Sequence, residues 1–310
     1  MLDVHRLRLL RELDRRGTLA AVARALSYSP SAISQQLSQL ESETGVRLLE
    51  HVGRGVRLTA QGRLLVTHAD AVLERLELAE AELAASLTEV TGTLRVASFQ
   101  SVLLALIPAA LSQLAARHPR LRVEITQQDP EAAFAGLVAH DFDLVLGEEY
   151  PGLPQARMPG VDEADLTRDE LRLAVPTRGP LALRRPELAD LREVPWVLDP
   201  ADSVPARWMV ALCRDAGFEP DVRFETPDLL LHVHLVATGH AVAMLPDLLG
   251  VGDRADLRLV GLPGRPRRRL FTGVRRGAAR HPRVRAFRDS LRHGLRAAAG
   301  RVTDVHGQDT

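Results

Sequence analysis

The sequence contains no lysine, one cysteine and few aromatic residues. The low numbers of cysteines and aromatic residues limit which sites and which core the chain can form. Cys213 alone excludes a disulfide framework and a cysteine-based zinc site, so we expect it to be a small core residue. With 4% aromatics, a core must be built mainly from Leu, Val and Ala, and the 45% apolar content allows that. No apolar run reaches the length of a membrane span, and the charged stretch MLDVHRLRLLRELDRR does not fit a signal peptide. We therefore expect a soluble cytoplasmic protein with no membrane partner.

The formal charge of the 310 residues is zero, but it is distributed unevenly. Residues 1–73 hold ten Arg and seven acids, residues 263–301 hold thirteen Arg and one acid, and residues 74–262 carry an excess of acids. A basic N-terminal head suits nucleic acid. The basic segment 263–301 has two interpretations, a second nucleic-acid contact or a solvated surface, and the solvated surface is favoured.

Apolar spacing predicts three helices in the first 45 residues. A helix over residues 2–15 ends at Gly17, and a second helix from Leu19 to Leu26 is capped by Thr18. A third begins in the stretch SPSAISQQLSQLE, where Ser29 is the cap, and ends near Gly45. Two helices joined by a short turn, the second presenting polar residues, form a helix-turn-helix.

The exposed face of the third predicted helix carries polar, uncharged side chains that are shorter than those of Lys and Arg. It comprises Ser31, Ser34, Gln35, Gln36, Ser38 and Gln39. Such a face suits hydrogen bonding to base edges, whereas an ordinary solvated helix usually carries Glu, Lys or Arg. Taken alone, the face fits DNA reading and a solvated helix about equally. The segment His51-Val-Gly-Arg-Gly-Val-Arg57 favours DNA, because a glycine-flexed hairpin with arginines is a wing that can reach phosphates or a narrow minor groove.

A long helix is predicted from Thr59 to about Val90. Its apolar positions follow a heptad spacing as far as Leu83, and we call them the seam: Leu65, Ala69, Val72, Leu76, Ala79 and Leu83, with Val90 after an interruption at Ser86. We interpret this helix as a dimerisation element. The alternative is a helix that packs on its own C-terminal domain.

From Thr91 onward, strands and helices alternate, which predicts a mostly parallel α/β sheet. A helix is expected over residues 102–117, a new strand from Leu171, a last helix from Val284 to Ala299, and a disordered tail beyond it. In open α/β sheets, ligands bind outside the carboxyl ends of the strands. The residues at those ends predict a ligand cleft.

Several segments in fixed order resemble the LysR-type transcriptional regulators. They are AAVARALSYSPSAISQQLSQLE, GVRLLEHVGRGVRLTAQG, GTLRVASF, HPRLRVEI, HDFDLVLG, LRLAVP, PWVLD and LVATGHAVAMLP. The resemblance implies an α/β protein with an N-terminal winged helix-turn-helix (1–58), a linker dimerisation helix (59–91) and a two-lobed, periplasmic-binding-protein-like effector domain (92–297). Lobe I would comprise about 92–163 and 268–297, lobe II about 164–267, and 298–310 a disordered tail. A homodimer or a homotetramer on double-stranded DNA, controlled by a small-molecule effector, is implied.

The resemblance also implies site residues. The DNA-binding set is Ser31, Ser34, Gln35, Gln39, Arg54 and Arg57. The effector-binding set is Ser98, Phe99, Gln100, Ser101, Gln128, Glu148, Ser203, Thr226 and Gly239. Two departures from the family pattern occur: Pro30 stands where Gln is frequent, and His51 stands where an arginine is common. The helix start near Ser101 favours an anionic effector and the acidic rim opposes one, so the sequence leaves the effector's charge open.

Other functions fit less well. No nucleophile elbow, phosphate-binding loop or His-Glu-x-x-His motif supports an enzyme, and we expect no cofactor. His232 and His234 would face different sides of a helix, which disfavours a metal pair. A solute-binding protein would need an export signal, and an architectural DNA-binding protein would not need a cleft domain. The remaining alternative is a cytoplasmic small-molecule-binding or enzymatic α/β domain with an appended DNA-binding head.

Overall fold

A computed structural model describes residues 1–26, 28–53, 55–154 and 157–305, with backbone only beyond residue 297. The N-terminal head and its linker comprise α1 (Val4–Arg16), α2 (Leu19–Leu26), α3 (Pro30–Thr44), β1 (Leu49–Val52), β2 (Gly55–Leu58) and α4 (Ala60–Ala85). Strands β1 and β2 pair antiparallel and form the wing. Apolar residues of α1, α2, α3 and the first turns of α4 bury one another in a single core.

Local signals in the sequence set the ends of α3. The Ser29 hydroxyl accepts a hydrogen bond from the Ala32 N–H at 3.1 Å, and Pro30 occupies the first turn. Gly45 ends the helix with φ 69°, a left-handed conformation that favours glycine. Ile33, Leu37 and Leu40 point into the core. The helix is therefore capped at both ends and fixed by one apolar face, as the sequence predicts.

The second part of the chain is an α/β domain. Its elements are β3 (Gly92–Ser98), α5 (Gln100–Ala105), α6 (Ile107–Arg117), β4 (Leu121–Gln127), α7 (Pro130–Val138), β5 (Leu144–Glu149), β6 (Val161–Pro176), β7 (Pro195–Leu198), α8 (Val204–Asp215), β8 (Asp221–Glu225), α9 (Leu229–Ala237), β9 (Ala243–Pro246), β10 (Leu257–Gly261), β11 (Arg267–Arg275) and α10 (Pro282–Val305). Single 3₁₀ turns lie at Leu188–Leu191, Asp247–Leu249 and Ala278–Arg280.

One long strand belongs to both lobes of this domain. The main sheet has the order β10-β6-β11-β5-β3-β4, and β9 also pairs with β6. The first part of β6 pairs with β11 in lobe I, whereas residues 171–176 pair with β10 and β9 in lobe II. Strands β7 and β8 continue lobe II through a bridge from Trp196 to Val242. The two lobes are therefore joined by continuous β-structure.

The prediction of a mostly parallel sheet is wrong. Strands β3, β4 and β5 are parallel, but β11 runs antiparallel to both β5 and β6, and β6 runs antiparallel to β9 and β10. The antiparallel pairs arise where the chain crosses from one lobe to the other and returns. The sheet is mixed for that reason.

Several predicted boundaries also shift. The helix predicted over 102–117 is two helices that meet at Leu106, because Pro108 starts a new first turn. Helix α4 ends at Ala85, five residues before the predicted end, where the Ser86 hydroxyl bonds back to the Leu83 carbonyl. Helix α10 runs to Val305, past its predicted end at Ala299, and residues 306–310 of the predicted tail lie outside the described residues.

In the part of the chain that the structure describes, every helix is too short or too polar to cross a membrane.

Candidate functional site

The polar face of α3 is exposed to solvent. Ser31, Ser34, Gln35 and Gln39 all lie on the exposed side of the helix, opposite its buried apolar residues. Gln36 differs, because its side chain accepts a hydrogen bond from Arg6 Nε at 3.0 Å. The four residues predicted to contact DNA thus share one accessible, uncharged surface.

The wing is held beside α3 by Glu41. Its Oε1 accepts hydrogen bonds from the backbone N–H groups of Leu48 and Leu49, at 2.7 and 3.0 Å. On the wing, Arg57 is exposed and its Nε donates to Glu50 at 2.9 Å. The predicted contact at Arg54 lies outside the described residues. Because Glu41 belongs to α3, the wing and the polar face form one unit.

Helix α1 contacts lobe I directly. Arg11 Nη2 lies 2.6 Å from His140 Nε2, and Arg15 Nη1 donates to the Val138 carbonyl at 2.8 Å. Val138 ends α7, so the Arg15 guanidinium lies at the negative end of that helix. Burial and the nearby arginines lower the pKa of His140 to about 2, so its ring stays neutral at physiological pH and accepts a hydrogen bond from Arg11. The head is therefore docked on the effector domain of its own chain.

Helix α4 also joins the head to lobe I. Glu77 Oε1 accepts a hydrogen bond from Arg275 Nε at 2.6 Å, and Arg275 Nη1 donates to the Leu137 carbonyl at 3.0 Å. Ala69 packs in the head core, and Ala81 is fully buried. By contrast, the seam residues Val72, Leu76, Ala79 and Leu83 stay exposed. One face of this helix packs on its own chain, as the alternative interpretation predicts. The other face has no partner among the described residues, and dimerisation through it stays a prediction.

A cleft of about 1070 Å³ opens between the lobes at the carboxyl ends of β3, β4, β5 and β7. Six of the nine predicted effector residues line it: Phe99, Gln100, Ser101, Gln128, Glu148 and Ser203. The position agrees with the rule that ligands bind outside the carboxyl ends of strands.

The other three predicted effector residues lie off the cleft lining. Ser98 is fully buried, and its hydroxyl lies 3.5 Å from the Phe99 carbonyl. The Thr226 carbonyl contacts His232 Nε2 at 2.8 Å, behind the cleft. Gly239 follows α9 with φ 78°, a helix-ending conformation that explains the glycine. These three residues were predicted to bind the effector because they lie next to strand ends. In the structure, their contacts and conformations are those of structural residues.

The floor of the cleft is a buried charge network centred on Arg268. Its Nε and Nη2 donate to Asp169 Oδ2 at 2.9 and 2.7 Å, Nη1 donates to Glu148 Oε2 at 2.5 Å, and Nη2 donates to the Ser101 hydroxyl at 2.8 Å. Although burial alone would lower it, the facing carboxylates raise the pKa of Arg268 above its ordinary value. Burial raises the pKa of Glu148, and Arg268 opposes that shift. The guanidinium is permanently charged and committed to protein partners.

Asp199, at the end of β7, lies across from this network. Burial raises the pKa of Asp199 to about 6; the Arg268 charge lowers it in part, and the Asp129 charge adds to the rise. The described residues provide its carboxylate with no hydrogen bond other than from its own backbone N–H. The cleft thus contains a half-buried carboxylate without a side-chain partner, the kind of group that clusters at binding sites.

Gln100 connects the two lobes across the cleft. Its Nε2 donates to Asp228 Oδ1, and its Oε1 accepts from the Leu229 N–H, both at 2.7 Å. Asp228 caps α9 of lobe II, so lobe I reaches the first turn of a lobe II helix through one side chain. The predicted cleft residue Gln100 therefore makes a direct contact between the two lobes.

The remaining candidates have structural positions. His232 is fully buried whereas His234 is exposed, so the two rings face different sides of α9. Cys213 is buried in the lobe II core, and burial raises the pKa of its thiol to about 12. Such a thiol is almost entirely protonated at neutral pH and reacts slowly.

Sequence reasoning missed Arg268. It lies within the basic segment 263–301, which the favoured interpretation made a solvated surface, yet its side chain is 3% exposed. Arg269 and Arg275 of the same segment also bind carboxylates of lobe I and α4. The one available signal was charge complementarity: β6 carries the acids Asp162, Glu163, Asp165, Asp169 and Glu170. The contact itself follows only from the strand register, which places Arg268 opposite Asp169.

Comparisons with known proteins agree with both halves of the chain. Residues 4–63 match the family described as bacterial regulatory helix-turn-helix protein, lysR family, and residues 88–296 match the LysR substrate binding domain. The transcriptional regulator ClcR of Pseudomonas putida is 28% identical over 266 residues, which cover 85% of this chain and 89% of ClcR.

Solved structures of full-length regulators share the architecture. Full-length OxyR C199D from Pseudomonas aeruginosa has a TM-score of 0.66 at 19% identity, covering 94% of this chain and 95% of that one. Full-length CbnR complexed with its target DNA has a TM-score of 0.53 at 25% identity, covering 94% and 99%. The predicted winged head and two-lobed α/β domain are thereby confirmed. With a DNA-reading head and a ligand cleft in one chain, and matches over both, this protein belongs to the LysR family of transcriptional regulators and not to a class of enzymes.

Proposed function

We propose that this regulator acts in the cytoplasm as a homodimer, binds operator DNA through α3 and the wing, and adjusts that binding when a small molecule occupies the interlobe cleft. The observation that carries the proposal is the docking of the head on lobe I through Arg11 and Arg15. Because of that contact, a change in the lobes reaches the DNA-reading surface of the same chain.

The polar face of α3 supports base reading in the major groove. Ser34 and Gln35 are exposed and carry no competing contact among the described residues, and Gln amides pair with adenine edges. Ser31 shares a 3.0 Å contact with the Ser29 hydroxyl, so it lies at the edge of the reading surface. We assign Gln39 to an outer or backbone contact and Arg57 to a phosphate. The CbnR structure with target DNA supports the same use of the head.

The exposed seam supports dimerisation through α4. Val72, Leu76, Ala79 and Leu83 recur at spacings of four, three and four, which is the pattern of a coiled-coil surface. Two α4 helices paired on this face would carry two heads and so read two half-sites of an operator.

The cleft supports control by a small molecule. Ligand contacts to both lobes compete with the Gln100 bridge, and the continuous strand β6 lets one lobe turn against the other. Lobe I holds both α1 and α4. A turn of the lobes therefore changes the separation of the two α3 helices in the dimer.

Selection of bound duplexes from a random-sequence library, followed by gel-shift titration, tests the DNA-reading assignment. We expect Gln35→Ala to change the preferred base at one position of each half-site, with a cost of about 1–3 kcal/mol at that base pair and little change elsewhere. Glu82→Ala, an exposed change on α4 far from the head, is the matched control.

An equal loss of affinity on every duplex would assign Gln35 to the phosphate backbone instead. Failure of the unaltered protein to enrich any sequence at low salt would refute specific DNA binding itself.

A further inference from the structure

Resting on the proposed ligand-controlled function, we propose that the cleft takes an organic cation, an amine or guanidine with an apolar body whose charged group binds Asp199. Seven carboxylates and four arginines line the cleft, so acids are in excess. The pairs that these charges already form within the protein decide which of them a ligand can use.

Most of the N–H groups of the buried arginine on the cleft floor are occupied by protein partners. Arg268 makes four hydrogen bonds to Asp169, Glu148 and Ser101, which leaves one of its five N–H groups. It also lies over the Phe99 ring, 5.5 Å from the centroid. An anionic ligand would have to displace a protein carboxylate to gain this guanidinium.

Arg269 is equally committed. It bonds Asp165 at 2.7 Å, Glu163 at 3.0 Å and Glu149 at 3.3 Å. The other two arginines of the lining, Arg157 and Arg207, are exposed at the rim, where water screens their charge. Among the arginines of the described cleft, the buried one therefore has a single N–H group left for a carboxylate or phosphate.

The carboxylates outnumber the cations on the same floor. Glu148 and Asp169 already balance Arg268 with one negative charge in excess, and Asp199 adds another. Asp199 receives no side-chain hydrogen bond from the described residues. Because water reaches the Asp199 carboxylate only in part, a ligand cation that pairs with it offsets the remaining cost of its burial.

The helix start at Ser101 does not offer an anion site. Helix α5 has only six residues, and the Ser101 hydroxyl already accepts from Arg268. This removes the one sequence signal that favoured an anion.

Aromatic side chains suit the apolar part of such a ligand. Tyr150 and Trp208 form a tilted pair with centroids 5.6 Å apart, and both line the cleft. Ring faces attract cations as well as apolar groups. A volume of about 1070 Å³ accommodates a drug-sized molecule rather than a bare ion.

The experiment uses matched probes that share one hydrocarbon part and differ in the terminal group that carries the charge: 2-phenylethylamine against 3-phenylpropionate and 2-phenylethanol, hexylamine against heptanoate, and cadaverine against pimelate. Binding to the full-length protein is followed by tryptophan fluorescence, since Trp208 lines the cleft and Trp196 is fully buried. We expect at least one amine to bind about tenfold or more tightly than its carboxylate partner. Asp199→Asn should remove that preference, whereas Asp253→Asn, an exposed carboxylate outside the cleft, should retain it.

Tighter binding of the carboxylates, absence of binding by every amine, or an unchanged preference in Asp199→Asn would each overturn the proposal. Gel shifts run in parallel separate this result from the proposed function. A carboxylate that binds and alters DNA affinity would refute the cationic ligand and leave ligand-controlled DNA binding intact, whereas loss of sequence-specific DNA binding by the unaltered protein would refute the proposed function.

Discussion

Arg268 shows how strongly one residue can depend on its partners. It is buried between Glu148 and Asp169, and removing it would leave two buried carboxylates without a cation. We expect Arg268→Leu to lower the free energy of unfolding by about 3–5 kcal/mol. Calorimetry of the full-length protein measures the change.

The matched control is Arg223→Leu, which breaks an exposed pair with Asp221. The side chains of that pair are 58% and 42% exposed, so the expected cost is below about 1 kcal/mol. Similar small losses in the two variants would show that the buried network contributes no more than a surface pair.

Asp199 predicts a pH dependence of stability. Its folded pKa of about 6 exceeds the ordinary 3.8, because burial outweighs the attraction of Arg268 and the Asp129 charge repels it. Between pH 4 and 6, approximately, the folded chain holds a proton that the unfolded chain has released, so this contribution to stability falls as the pH rises through that window.

We therefore expect Asp199→Asn to raise the free energy of unfolding at pH 7.5 by roughly 1–3 kcal/mol and to have almost no effect near pH 4. Urea unfolding followed by tryptophan fluorescence measures it, because both tryptophans, Trp196 and Trp208, lie in lobe II with Asp199. A destabilised variant at pH 7.5 would contradict the raised pKa.

The role of a single side chain could be predicted when its partners lie close to it in the sequence. Ser29 and Gly45 act within one helix turn, so the sequence alone predicted both caps. Glu148 was identified from its place at a strand end. Arg268 could not be, because its partners lie 99 and 120 residues away and meet it only through sheet pairing.

Helix α4 makes the dimer testable. Leu76 is 42% exposed in the middle of the seam, and in a dimer it would face its counterpart in the partner chain. We expect Leu76→Glu to weaken dimerisation by on the order of a hundredfold or more, since it places like charges in an apolar contact. Sedimentation velocity across a concentration series measures this.

Leu104→Glu is the matched control, because Leu104 is 44% exposed on α5, away from the seam. If both variants dimerise as the unaltered protein does, the copies must associate through another surface.

Elements with an apolar pattern were predicted well, and those with a charged pattern were not. The three head helices and the long linker follow directly from leucine and alanine spacing. The first ten residues of β6 were not predicted as a strand, because VDEADLTRDE contains six acidic or basic side chains. Their charges are satisfied by arginines of β11, and that pairing lies beyond local propensity.

The docking of the head on lobe I makes the two halves of the chain one mechanical unit. Arg15 bonds both Asp70 of α4 and the Val138 carbonyl at the end of α7. We expect Arg15→Met to speed amide hydrogen exchange in the last turn of α7 by about five- to thirtyfold, the effect of losing 1–2 kcal/mol of local stability. Mass spectrometry of backbone exchange measures this.

Exchange in α9 of lobe II serves as the internal reference, and Arg24→Met, an exposed arginine on α2, serves as the control variant. Unchanged exchange in α7 would mean that the head moves freely on the effector domain.

The shared strand β6 also bears on how the chain could have been assembled. Strand pairing makes lobe II begin at Leu171, instead of the expected 164, and end at Pro266. The Leu171 N–H donates to the Pro266 carbonyl at 2.9 Å. Its two ends are thus neighbours in space, at one end of the β6–β11 ladder. A tight turn in place of lobe II would close that ladder into a hairpin, so lobe II has the geometry of an insertion in a smaller domain. Replacing it at this junction with the lobe of a relative would exchange half of the ligand pocket. The DNA-reading half of the molecule would stay unaltered.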